Sequence, residues 1–82
     1  MKIYDYKGKK NISGERIREA RLKRRISQTA LATRMKSEDA TIERESISRI
    51  EAGTRFVADY ELQAFAKILQ VSVLWLLSIE NE

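Results

Sequence analysis

Cysteine, histidine and proline are all missing from this chain of 82 residues. Without cysteine there is no disulfide and no Cys-based zinc site, which suits a reducing compartment. Without histidine the commonest general base and the commonest metal ligand are gone. Without proline no helix is broken from within. Long apolar runs are scarce too: the longest, VSVLWLLSI, is far too short to span a bilayer. The opening MKIYDYKGKKN lacks the apolar run that a signal peptide needs. These absences predict a soluble cytoplasmic protein with no cofactor, no metal and no membrane partner.

What is present suits one small folded domain, with apolar residues at 43% and charged residues at 34%. The net charge of +4 is unevenly spread. Residues 1–25 hold Lys2, Lys7, Lys9, Lys10, Arg16, Arg18, Arg21, Lys23, Arg24 and Arg25 against Asp5, Glu15 and Glu19, whereas the closing SIENE is acidic. A basic front half suits a polyanion such as nucleic acid. A well-solvated surface would read the same way.

Apolar spacing divides the chain into five helices, with nothing that reads as a strand. Residues 1–12 lack helical spacing and are expected to form an extended basic arm. A helix follows from Ser13, capped by Ser13 or Gly14, with Ile17, Ala20 and Arg21 inward. It ends near Arg24 or Arg25, and Ile26 drops into the core. Ser27 is a good N-cap for a second helix that turns Leu31, Ala32 and Met35 inward. The pattern lapses through KSEDAT, residues 36–41, which shows no apolar face. It resumes with Ile42, Ile47 and Ile50, and Gly53 closes the third helix as a left-handed C-terminal residue. A fourth helix is expected from about Asp59 to Leu69, burying Leu62, Phe65, Ala66 and Leu69. Ser72 caps a fifth, VLWLLSI, whose Trp75 and Leu76 close the core. The domain is expected over residues 13–79, with an acidic tail at 80–82.

Three stretches, IREARLKRRISQTALATRM, ISRIEAGTR and LQAFAKILQVSVLWLL, resemble the Xre, or lambda-repressor-like, helix-turn-helix proteins that bind operators. The resemblance reaches from Ser13 to Leu77. It implies an all-α five-helix bundle in which helix three reads the major groove and helix two lies across the backbone. It places Gln28 at a phosphate or base edge, Arg44, Glu45, Ser46 and Arg49 on the reading face, and Thr54 and Arg55 beside phosphate. It also implies a structural pair, Arg21 and Glu51, that joins helix one to the end of helix three.

The chain departs from the family in three places. KSEDAT makes the turn between helices two and three about five residues too long. Arg25 stands where helix one usually ends in glycine, which predicts a mildly strained left-handed residue. Glu43 and Glu45 open the reading helix. There the helix dipole favours an acid by about 0.3–1 kcal/mol, and a carboxylate can also accept from cytosine N4.

The leading expectation is a sequence-specific DNA-binding transcriptional regulator, dimeric on a two-fold operator of double-stranded DNA. A helix-turn-helix fold that binds protein instead of DNA is the competing one, motivated by the acids of the SED turn and of helix three. An enzyme is not expected. Without His or Cys it would need carboxylates or lysines in a pocket, and here acids mostly alternate with bases, as on a solvated face. No small-molecule substrate is evident.

Overall fold

The computed structural model describes residues 5–80, and among them five helices follow in order: α1 (Gly14–Lys23), α2 (Gln28–Lys36), α3 (Arg44–Ala52), α4 (Asp59–Leu69) and α5 (Val73–Leu76). Two start as their capping serines predict. Ser27 Oγ accepts from the Ala30 amide at 3.0 Å, and Ser72 Oγ accepts from the Trp75 amide at 2.9 Å. The start of α1 is capped differently from the expectation. Neither Ser13 nor Gly14 supplies the bond: Asn11 Oδ1 accepts from the Gly14 amide at 2.7 Å, and Ser13 is buried. The reason is that the backbone at Ser13 is already helical, so its side chain cannot swing under the first turn. At α4 the residue before the helix is Ala58, which has no capping oxygen. Glu61 reaches back instead and accepts from the Ala58 amide at 3.0 Å.

Apolar side chains from the five helices and the α2–α3 turn meet in one core. Ile17, Leu31, Met35, Ile47, Ile50, Phe65, Leu69 and Leu76 are its largest fully buried members. Leu62, Trp75 and Ala32 pack against its edge, half-buried rather than enclosed. Trp75 stays partly open because its outer face is covered by the Arg16 guanidinium, 4.6 Å from the ring centre, and not by apolar neighbours. The 36–41 segment also differs from its polar reading. Ala40 is buried at 3% exposure and Ile42 at 4%, so the long turn has an apolar side that plugs the core. Glu38 holds the other side to α4 through Lys67 at 3.1 Å.

Every one of these five helices is followed by a left-handed residue, where the chain folds back on the last turn. Those residues are Arg25, Asp39, Gly53, Gln70 and Ser78, with φ of 58°, 58°, 84°, 58° and 61°. Arg25 was expected there. Ser78 explains why α5 is shorter than its sequence suggested: the Ile79 amide turns back to Leu74 O at 2.9 Å. Arg16 secures that reversal by donating to Trp75 O at 3.0 Å and Glu80 O at 3.1 Å.

The described part of the arm is not extended. Tyr6 and Lys9 exchange backbone hydrogen bonds of 2.6 and 3.0 Å across Lys7 and Gly8, which have φ of 53° and 83°. Two successive left-handed residues make a tight reversing turn of the kind that joins paired strands. Residues 1–4 and 81–82, including Lys2 and the end of the acidic tail, lie outside the described residues.

Behind this turn α1 and α3 come unusually close. A Cβ built on Gly14 would stand 2.0 Å from Ile50 O, which no backbone tolerates. Gly14→Ala therefore forces α1 away from α3 and should cost about 1–3 kcal/mol or more. A thermal melt should show it, at roughly 4–8 °C per kcal/mol in a domain this small. At the other end of α1, Arg25→Gly relieves a left-handed strain of about 1–2 kcal/mol and adds an entropic cost of roughly 0.5–1. A rise of up to about 1.5 kcal/mol in urea-unfolding stability is expected from that difference.

Candidate nucleic-acid interface

The inward stripe of α3 dictates which of its residues face out. Ile47 and Ile50 are fully buried and Glu51 is 7% exposed. With about 100° between successive residues, Glu45, Arg49 and Ala52 then point directly away, flanked by Ser46 and Ser48. Arg44, Glu45, Arg49 and Ala52 are exposed, and Ser46 and Ser48 are half-exposed. Glu43 stands at the N-cap position, exposed, and its carboxylate makes no capping bond.

The helix is braced from behind by a polar chain that crosses three elements. Arg21 of α1 grips Glu51 at two points, Nε to Oε2 at 2.7 Å and Nη2 to Oε1 at 3.0 Å. The third arm of the fork, Nη1, donates to Ile26 O at 2.9 Å and so fixes the α1–α2 corner. Hydrogen bonds from the guanidinium to Glu51 raise the Arg21 pKa, outweighing the opposite pull of burial, and the guanidinium stays charged. Glu51 Oε1 also accepts from Gln28 Nε2 at 3.0 Å. The Gln28 carbonyl oxygen in turn accepts a longer bond from Arg44 Nη1 at 3.4 Å. Gln28, expected at a phosphate or base edge, thus sits half-buried between the brace and the first arginine of α3.

At the far end of α3 the donors are largely taken. The Thr54 amide donates to Arg49 O at 2.8 Å, and its hydroxyl donates to the same oxygen at 3.2 Å. Arg55 forks onto Glu61, Nη1 to Oε1 at 3.0 Å and Nη2 to Oε2 at 3.2 Å. Its Nη1 also donates to Phe56 O at 2.9 Å. Arg55 therefore ties the α3–α4 loop to the first turn of α4, and Thr54 presents only its exposed side chain.

Among the described residues no group of His, Cys, Asp and Glu is placed to hold a metal ion. No helix there is long and apolar enough to cross a membrane. What the face of α3 offers is two guanidiniums, a carboxylate, two hydroxyls and a methyl group on one rod. Guanidiniums suit guanine and phosphate, a carboxylate suits cytosine, and a methyl group suits thymine.

The sequence profile of the helix-turn-helix family matches residues 17–76, from the first buried apolar side chain of α1 to the last of α5. The chain belongs to this family, of Xre or lambda-repressor-like type. The family is one of DNA-binding regulators and not of enzymes. No curated protein and no solved structure matches the chain.

Within this helix-turn-helix, sequence reading missed three residues. Ser48 and Ala52 fall on the outer face by helical spacing alone, so the signal was present. Asn11 is different. Besides capping α1, its amide nitrogen donates to Ile50 O at 3.0 Å and Arg55 O at 2.8 Å, partners some forty residues away. An asparagine before a helix suggests a cap, and nothing nearby suggests the rest.

The brace makes a measurable demand. Glu51→Ala leaves Arg21 buried without its counter-ion and Gln28 without its acceptor, and should cost about 3–5 kcal/mol in urea unfolding. Glu51→Gln keeps an acceptor for Arg21 and Gln28 and should cost distinctly less.

Proposed function

We propose that this protein is a sequence-specific DNA-binding transcriptional regulator that reads the major groove with the helix around residues 43–52. The observation that carries the reading is the arrangement of α3, whose polar outer face is exposed while its inner face is fixed by Glu51 to Arg21. A helix with its side chains is about 10–12 Å across, which fits a groove about 12 Å wide. Arg44, Glu45, Ser46 and Arg49 are the base-reading set, with Ser48 and Ala52 beside them. Gln28 acts from behind, aiming Arg44, and Thr54 reaches the backbone when its exposed hydroxyl turns from Arg49 O to a phosphate. Arg55 orients the loop.

Glu43 and Glu45 oppose phosphate, so they weaken non-specific binding, most of which is electrostatic. Glu45 offsets this where it accepts from a cytosine. The result is a reader that discriminates strongly and holds random DNA loosely. A single helix covers few base pairs, and the α5 end exposes Leu74 at 47% and Ile79 at 69%. Both features support a homodimer on a two-fold site.

Binding to duplex DNA over a salt series tests the class of function. Affinity should fall steeply with salt, log K losing roughly 0.9 of slope for each phosphate neutralised. Absence of binding even at low salt would falsify the reading and leave a protein partner as the function of the fold. Selection from a random DNA pool should return sites with two related halves, centred about 34 Å apart. An asymmetric consensus would rule out the dimer. Arg44→Ala with Arg49→Ala should weaken the selected site by about 1–3 kcal/mol for each base that an arginine no longer holds, with the circular dichroism unchanged.

A further inference from the structure

The turn at Tyr6–Lys9 has no evident reason to exist as part of the fold. All residues from Asp5 to Lys10 are exposed, and the core closes without them. Yet the turn is not loose against the body. The Lys10 amide donates to Gly53 O at 2.8 Å, and Asn11, next in sequence, is bonded to Ile50 O, Arg55 O and the Gly14 amide. The Lys9 side chain lies across Gly53, its Cδ only 2.8 Å from where a Cβ there would stand. The turn is therefore seated on the C-terminal end of α3.

That position needs cations if α3 lies in a groove. A helix seated in the groove lies between two phosphate strands. The C-terminal end of a helix carries partial negative charge and repels phosphate. The loop that follows α3 can do little about it, because Arg55 is held by Glu61 and the Thr54 amide by Arg49 O. Asp5–Lys10 brings three lysines and one aspartate to the same place. Lys9 and Lys10 form exposed ion pairs, with Glu15 at 3.5 Å and Asp5 at 3.1 Å. Such pairs contribute little in water and exchange readily for another anion.

We propose that the Tyr6–Lys10 turn is a second DNA contact, in which Lys7, Lys9 and Lys10 hold the phosphates that flank the bases read by α3. The contact rests on the reading of α3 as the groove-entering helix. It supplies the phosphate grip that Glu43 and Glu45 deny to the start of that helix. It is sequence-independent, and Lys7 and Gly8 must keep their left-handed turn for the lysines to stand together.

The test uses the full chain and a random-sequence duplex, titrated from about 50 to 200 mM salt, the range over which phosphate binding dominates. Lys7→Gln with Lys9→Gln and Lys10→Gln should reduce the salt slope by roughly 1–3 units, about 0.9 for each phosphate set free. The corresponding triple change to arginine should keep the slope. Lys23→Gln with Lys67→Gln, on α1 and α4, serves as the control for general charge removal and should reduce it much less. The melting temperature should change little in all three, since exposed ion pairs contribute little and glutamine keeps the stem that Lys9 lays on Gly53. If the wild-type chain binds and the glutamine triple keeps its slope, or the control falls as far, the turn is not a contact and the proposal fails alone. If the wild-type chain does not bind DNA at low salt, the reading of α3 fails and the turn with it.

Discussion

The two-point grip of Arg21 on Glu51 is the constraint on which the rest of the arrangement depends. It joins α1 to the last turn of α3, and through Ile26 O it also fixes the corner into α2. A buried ion pair gains little net stability, because desolvating two charges offsets much of their attraction. What this one supplies is geometry. A guanidinium fork meets a carboxylate in one plane and at one distance, so the angle of α3 against α1 follows from it. The inner face of α3 otherwise consists of Ile47 and Ile50, which would accept several packings. Gln28 then carries the same registration outward to Arg44. A surface side chain is thereby placed by a buried one two steps away.

Arginine is used throughout in this way, which changes how the basic front half is understood. Arg16 holds the reversed end of α5, Arg21 the corner after α1, and Arg24 the last turn of α4, through Leu69 O at 2.7 Å and Gln70 Oε1 at 2.6 Å. Each donates to backbone carbonyl oxygens at a helix end or a turn. One face of α1 thus finishes the ends of its neighbours. The charge that remains for a polyanion is smaller than composition suggests.

The parts of the fold legible in the sequence were those set by local rules. Ser27, Ser72 and Gly53 mark helix boundaries because a cap or a left-handed stop depends on one residue and its neighbours. The inward stripe of α3 follows from isoleucine spacing, and the left-handed Arg25 from a missing glycine. What stayed hidden depends on partners distant along the chain. Ala40 looked like part of a polar turn because one small apolar residue makes no pattern, although it is buried. Asn11 looked like arm. Trp75 looked like core because its sequence neighbours are apolar, whereas an arginine from α1 covers one face. In the candidate site, Arg44, Glu45, Ser46 and Arg49 were placed on the outer face of α3 by the family resemblance, and helical spacing would have added Ser48 and Ala52. The state of Gln28, Thr54 and Arg55 was not legible, since each depends on a group from another element or turn.

The close approach of Gly14 to Ile50 O has a consequence for the partner. Where two helices touch through backbone atoms, no rotamer can change to let one slide on the other. With Arg21, Glu51 and Asn11 added, α1 and α3 move as a single body. If α3 reads DNA as proposed, an edge that cannot tilt leaves adjustment to the duplex. Sites that bend or twist cheaply to meet this fixed edge gain over stiffer ones with the same bases at the edge. Part of the preference would then be written in base pairs that no side chain touches.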